Sequence, residues 1–392
     1  MALRTIDSLD VAGKRAFIRA DFNVPLKDGV ITDATRIEAA LPTIQWAVAH
    51  GARVMLASHL GRPKGKRDPK YSLKPVAEAL AELLHMKVIL APDCVGPEVE
   101  RLSRTLDRRE VLLLENLRFH PEEEANDPAF ARQLAALADV YVDDAFGAAH
   151  RAHASTEGMA HVVPVTAAGF LMRKEVEALA KISNAPDRPV VAILGGAKVS
   201  DKIKVIEHLL DKVEMLLIGG AMAYTFLLAA GHTVGDSLVE RDRLDVARDV
   251  LARAKQRGDA LRLPLDHLVT TDLTGAAPLR EVGVDIPDGL KGVDIGPRTI
   301  DDYRREIARA HTIFWNGPMG IFEVDAFSRG TMAIANVLAD SNATTVVGGG
   351  DSIAALRRSG RSDDITHIST GGGASLEFLE GHPLPGLTVL EQ

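Results

Sequence analysis

The sequence has a single cysteine, Cys94, in 392 residues. That excludes an internal disulfide and a multi-thiolate zinc cage, and a lone thiol reads as a small buried hydrophobe. Aromatic residues are only 4%, while Ala, Leu and Val abound. This palette disfavours an all-β sandwich and suits helices packed on parallel strands. No run of about 18 uncharged apolar residues occurs, and the opening MALRTIDSLD lacks the apolar core of a signal peptide. The formal net charge of -8 disfavours a general nucleic-acid or anionic-membrane surface. A soluble cytoplasmic chain with neither kind of partner is expected, and any basic site in it must be local.

What is present is an ordinary globular balance, 46% hydrophobic and 26% charged, enough to bury a core. The length exceeds what one core supports, and two domains are expected. Short apolar runs alternate with helix-period segments, the pattern of βα units feeding a parallel sheet. The first half carries RAFIRA (15–20), RVMLAS (53–58), KVIL (87–90), VLLLEN (111–116) and DVYVDD (139–144). The second carries VVAILGG (190–196), MLLIGG (215–220), HTIFWNG (311–317), TTVVGGG (344–350) and ITHIST (365–370). Between them Val176, Leu179 and Ile182 repeat at helical spacing before Pro186 and Pro189. The fold class is therefore α/β, with domains at about 1–170 and 187–372 joined by a helix and linker over 171–186.

The first half sets unusual polar residues at the ends of its expected strands. Asp21 and Asn23 follow RAFIRA, His59 and Arg62 follow RVMLAS, and Arg118 and Arg151 follow VLLLEN and DVYVDD. Ligands of open α/β sheets bind beyond the carboxyl ends of strands, so these residues should converge, with Arg36 nearby. Guanidinium groups bind phosphate and carboxylate bidentately and stay charged, which implies a small, multiply anionic ligand. His59, His150 and His153 lack the carboxylate spacing of a metal site, so His59 reads as a substrate contact.

Strands of the second half end in glycines. VVAILGGAKVSDK places Lys198 and Lys202 one turn apart on an expected helix opening after Gly196, offering N–H groups and two ammonium groups to a polyphosphate. The order of a Walker A loop is absent. TTVVGGGDS puts Asp351 at a helix start, where it reads either as an N-cap or as a holder of Mg²⁺ bridging nucleotide phosphates. Gly371, Gly372 and Gly373 form a third such turn before another helix.

Taken in order, RADFNVPL, ITDATRI, ASHLGRP, LLENLRFH, DAFGAAHRAH, LGGAKVSDKI, FWNGPMGIFE, GGGDS and STGGGASLEFLEG resemble segments of the phosphoglycerate kinase family along nearly the whole chain. The resemblance implies two Rossmann-like domains joined by a helical hinge, the first for 3-phosphoglycerate and the second for Mg-ADP or Mg-ATP. It also implies that residues after about 373 return to the first domain, and that the chain is a monomer. Asp21, Asn23, Arg36, His59, Arg62, Arg118 and Arg151 resemble the family's substrate set. Gly196, Lys198, Lys202, Gly219, Gly220, Gly292, Pro318, Glu323, Gly350, Asp351, Ser352 and Ile353 resemble its nucleotide set. Gly219, Gly220 and Gly292 would border the adenine, Glu323 would hold ribose hydroxyls and Asp351 the Mg²⁺. Arg36, Lys198 and the N–H groups of Gly371, Gly372 and Gly373 would meet the transition state. Ala148 and Ala221 depart from common family residues without removing a charge.

The acceptor carboxylate, with a pKa of about 4, is already ionised at pH 7, so no general base is needed. Catalysis would rest on alignment, charge neutralisation and a hinge that closes to exclude water. Two rival readings remain at this level. One is another phosphotransferase or a glycosyltransferase on two Rossmann-like domains. The other is a silent metabolite-binding scaffold, which would be expected to lose Arg36, Lys198, Lys202 or Asp351; all four are present.

Overall fold

Each of the ten apolar runs forms a strand in the computed structural model, which describes residues 3–183 and 187–391. The chain divides into two compact units, Met1–Val176 with Pro383–Gln392, and Glu177–His382.

The first unit holds β1 (Arg15–Arg19), a hairpin of β2 (Leu26–Lys27) and β3 (Val30–Ile31), then β4 (Arg53–Ala57), β5 (Lys87–Leu90), β6 (Glu110–Leu113), β7 (Val140–Asp143) and β8 (Thr166–Ala168). Its main sheet has the order β5-β6-β4-β1-β7-β8, every pair parallel. β1 lies at the centre, with the next strands in sequence to one side of it and the last two to the other. Both faces are covered by helices, which is why the runs read as continuously apolar rather than alternating. In the helix Thr35–Ala49, Ile37, Ala40, Ile44 and Ala47 recur at one face and are fully buried against Ile18, Val54, Leu56, Val111 and Val142. Burying each of the larger side chains contributes about 1.5–3 kcal/mol.

The second unit repeats the scheme with β9 (Val190–Leu194), β10 (Met215–Ile218), β11 (Leu261–Arg262), β12 (His267–Thr270), β13 (Arg280–Val282), β14 (Lys291–Ile295), β15 (Thr312–Asn316), β16 (Thr344–Gly348) and β17 (His367–Ile368). The parallel order is β11-β10-β9-β15-β16-β17, so the strand order reverses between β9 and β15. Its core gathers Ile193, Leu217, Ile313, Trp315 and Val347 with Tyr303, Ile307, Ile334 and Leu338. The buried Tyr303 hydroxyl donates to the Ile218 carbonyl at 2.5 Å, satisfying the one polar atom of a large core side chain.

Several features differ from expectation. Each sheet has a sixth short strand, β8 or β11, and β12 pairs antiparallel with β13 and β14 in a separate three-stranded sheet. The connecting helix runs Phe170–Ser183 with Leu179 and Ile182 buried, and the unit boundary falls inside it. The end of the expected linker, with Pro186, lies outside the described residues. The return to the first unit begins at Pro383, not near residue 373. The helix Gly373–Leu379 stays with the second unit, where the following Gly381 packs so closely on His208 that a Cβ would lie 2.8 Å from its ring. Beyond it, Leu384, Leu387 and Leu390 are buried, and the Gly386 N–H donates to the Ala149 carbonyl at 2.9 Å in the first unit.

Candidate functional site

At the carboxyl ends of β1, β4 and β6, the structure joins most of the expected polar residues into one network. Arg36, from the first turn of its helix, donates to the Asp21 carboxylate at 2.8 Å. The Asn23 side-chain oxygen accepts from the Gly61 N–H at 2.8 Å, and Arg118 donates to the Gly61 carbonyl at 2.9 Å. Arg118 also pairs with Glu124 at 3.2 Å. Arg151, half-buried, donates to the His150 ring at 3.1 Å and lies near enough to Arg118 to oppose its charge. Arg62 is exposed and is not tied into this network by a hydrogen bond or ion pair.

Arg19, the last residue of β1, was hidden inside an apolar run and is only 1% exposed. Its guanidinium donates to the Ser155 hydroxyl at 2.8 Å and lies 3.2 Å from His59 Nδ1. A guanidinium only donates, so Nδ1 is the acceptor and the ring proton sits on Nε2. Burial pushes His59 well below its usual pKa, against the pull of Asp21 and with the help of Arg19, Arg118 and Arg36. The ring is therefore neutral at pH 7 and has an N–H to donate. Below it, the fully buried Glu123 accepts from the Ser155 hydroxyl at 2.5 Å and backbone N–H at 3.0 Å, and burial raises its pKa. Burial lowers the pKa of Arg118 while Arg151 and Arg19 repel it, so cations are held here close together in a poorly solvated place. Such a site favours a ligand with more than one negative charge.

In the second unit a pocket of about 450 Å³ opens beside the ends of β9 and β15. Of the residues that the resemblance assigns to a nucleotide, Gly196, Gly220, Gly292, Pro318, Glu323 and Asp351 line it. Tyr224, Leu238, Leu273, Val293 and Ile321 make most of its wall apolar, and Asp236 and Lys291 add one charge of each sign; none of these stood out in the sequence. Two glycines shape the slot. A Cβ on Gly292 would lie 2.1 Å from the Tyr224 hydroxyl. Gly220 has φ +66°, and a Cβ there would lie 2.4 Å from Gly196 N and 2.9 Å from the Pro318 carbonyl. An apolar slot of this size suits a flat heteroaromatic group.

The remaining residues of this set act around the pocket. Gly219 lets the Met319 side chain approach, since a Cβ would lie 2.3 Å from its sulfur. Ser352 is buried and accepts from the Gly317 N–H at 2.5 Å, while Ile353 packs against the sheet core. Gly350 opens the helix Gly350–Ser359, which sets the exposed Asp351 carboxylate in its first turn. Gly371 and Gly372 precede the helix Gly373–Leu379, as the spacing predicts.

The helix expected to carry both lysines begins only at Ile203, with Lys202 as its N-cap and Lys198 exposed in the loop before it. The cause is a non-local tie: the Ser200 N–H and hydroxyl both donate to Glu240, at 3.1 and 2.5 Å, holding the segment out of helical geometry. Lys202 instead turns back and donates to the carbonyls of Gly195 at 2.6 Å and Asn316 at 2.9 Å, the backbone just past β9 and at the end of β15. Burial lowers its pKa to about 8, opposed by Asp351 and Asp201. One of its three N–H donors is left for a ligand.

Two outcomes follow for MgADP, the ligand that the resemblance implies for this pocket. Gly220→Ala should weaken its binding at least tenfold in calorimetry while circular dichroism stays native, because the new methyl meets backbone atoms. An incoming phosphate favours the charged form of Lys202, so binding above about pH 8 should take up a proton and weaken as pH rises further. Calorimetry in buffers of different ionisation heat would read this as net uptake, and net release would contradict it.

A protein-family model described as Phosphoglycerate kinase matches residues 6–382. Curated phosphoglycerate kinases from Anaeromyxobacter sp. (strain K) and Moorella thermoacetica are 60% and 56% identical to the chain, with 100% of both chains covered in each case. The solved structure of phosphoglycerate kinase from Coxiella burnetii matches with a TM-score of 0.91 at 42% identity over 99% of each chain. That from Pyrococcus horikoshii OT3 matches at 0.84 and 35% identity, covering 99% of this chain and 98% of its own. With the family model spanning nearly its whole length and such identities along full-length relatives, the chain belongs to the phosphoglycerate kinase family.

Proposed function

We propose that the chain transfers a phosphoryl group reversibly between 1,3-bisphosphoglycerate and ADP, giving 3-phosphoglycerate and ATP, as its family does in glycolysis and gluconeogenesis. The observation that carries this reading is the pairing of chemistries: a crowded guanidinium site in one unit and an apolar pocket with a half-buried lysine beside it in the other. The first suits a phosphorylated carboxylic acid, with Asp21, Asn23, Arg36, His59, Arg62, Arg118 and Arg151 as its contacts. The second suits a nucleotide. Gly220 and Gly292 would border the base, Glu323 would hold the ribose, and Lys202 with the backbone near Gly196 would face the phosphates.

Magnesium fits the donor set at Asp351. Its carboxylate is exposed in the pocket lining, and among the described residues no side-chain cation is hydrogen-bonded to it, so it could hold a hard ion that prefers oxygen ligands. When bound with the nucleotide, Mg²⁺ supplies charge neutralisation at the phosphate oxygens. Arg36 and Lys198 would neutralise the transferring group, with N–H groups of Gly371 to Gly373. The ionised acceptor carboxylate attacks without a base.

Because the acceptor and nucleotide residues belong to separate units, transfer requires that these be brought together, and hinge closure around the helix Phe170–Ser183 is the proposed motion. The protein is proposed to act as a cytoplasmic monomer; among the described residues no helix is long and apolar enough to cross a membrane.

A coupled assay of ADP formation from MgATP and 3-phosphoglycerate tests the reading. Arg36→Ala should lower turnover by on the order of 10³ to 10⁵ while the thermal melt stays cooperative; turnover within a few-fold of native would remove Arg36 from its role. Small-angle scattering should show compaction only with both ligands present, and an unchanged radius of gyration would refute the closure.

A further inference from the structure

Adjacent strands β5 and β6 bring together three side chains that the proposed transfer does not use. Asp93 and Cys94 lie in the turn after β5, and His120 ends the short 3-10 turn Leu117–Phe119 after β6. One ligand-type atom from each, a carboxylate oxygen, the thiol sulfur and an imidazole nitrogen, lies within 4.8 Å of the other two. His120 Nε2 is 2.7 Å from Asp93 Oδ1, and the His120 ring is held by stacking on Phe130 at 5.2 Å between centroids. The Asp93 oxygen also accepts from the Cys94 N–H at 2.7 Å, which orients the carboxylate. Cys94 is fully buried, whereas the Asp93 and His120 side chains are 38% and 27% exposed, so the cluster is walled on the sulfur side and open to water on the other.

We propose that Asp93, Cys94 and His120 form a binding site for zinc or a similar borderline divalent cation, with water as fourth ligand. The mixed sulfur, nitrogen and oxygen set matches the preferences of such an ion and not those of magnesium. Bonds of about 2.3 Å to sulfur and 2.0–2.2 Å to nitrogen and oxygen put tetrahedral ligands roughly 3.5 Å apart, so the site is completed when the widest pair closes by about 1.3 Å at most and the His120–Asp93 pair opens by about 0.8 Å. Metal entry breaks the Cys94 S–H bond and the His120 Nε2–H hydrogen bond to Asp93; sulfur and nitrogen bond the ion, the thiol proton goes to solvent, and the imidazole proton goes to solvent from a charged ring or moves to Nδ1 in a neutral one, so affinity rises with pH. The bound ion would clip the turn carrying Asp93 to the segment that leads from Arg118 through His120 to Glu123, stiffening the support of the basic site.

The single cysteine makes the test unambiguous, because any thiolate–metal signal must come from Cys94. Titration of the native chain with Co²⁺, in millimolar Mg²⁺ and without nucleotide, should give a sulfur-to-cobalt charge-transfer band that saturates at one equivalent. Zn²⁺ should bleach the band and raise the melting temperature. His120→Ala and Asp93→Asn, both at partly exposed positions, should each weaken cobalt binding at least tenfold, since even outer-shell partners are worth 10- to 100-fold; Cys94→Ser should lose the band. Absence of a band at saturating cobalt, or a band whose midpoint is unchanged in both His120→Ala and Asp93→Asn, would overturn the proposal.

Discussion

A parallel sheet covered on both faces has only its strand ends left for polar chemistry, and most of the candidate site residues in this chain obey that constraint. Within β9 and β15 every residue is buried, so the first residues able to line a ligand pocket come after Leu194 and Asn316. In the first unit the same limit gathers Asp21, His59 and Arg118 from three strands that are distant in sequence but adjacent in the sheet. Strand order then decides where each unit works. Where it reverses, between β9 and β15, the segments just past the two strands, with Gly196 and Pro318, line the pocket.

Buried charge is the second theme, and the two units handle it differently. In the first, Arg19 and Glu123 share Ser155, so a cation and an anion lie beneath the site and steady the segments bearing His59 and Arg118. Removing one member would leave the other buried without its partner, which costs more than the pair contributes. In the second, Lys202 is held by two carbonyls rather than by a carboxylate, so its charge is only weakly compensated and remains available for phosphate. Solvation, more than ion pairing, sets the character of both sites.

The strand runs, the connecting helix, and Gly196, Gly220, Arg118 and Arg151 were legible because each has a local signature: unbroken apolar runs, helical spacing, and glycine or arginine just past a strand; Gly292, Pro318 and Glu323 came from the resemblance alone. Arg19 was not, since one charged residue inside RAFIRA reads as a strand residue until its burial is known. The hairpin of β2 and β3 did carry a signal that went unused, the Asp28-Gly29 pair with both residues at positive φ. The delayed helix start at Ile203 had none nearby, because Glu240, forty residues away, holds Ser200.

Sequence alone determined the α/β class, the strand ends where candidate site residues gather and the family, because these depend on patterns a few residues long repeated in order. Tertiary structure alone decided that His59 is neutral, that Lys202 caps two strand ends instead of standing beside Lys198, and that Asp93, Cys94 and His120 meet. Protonation, desolvation and donor geometry depend on neighbours from other strands, and a linear pattern does not contain those neighbours.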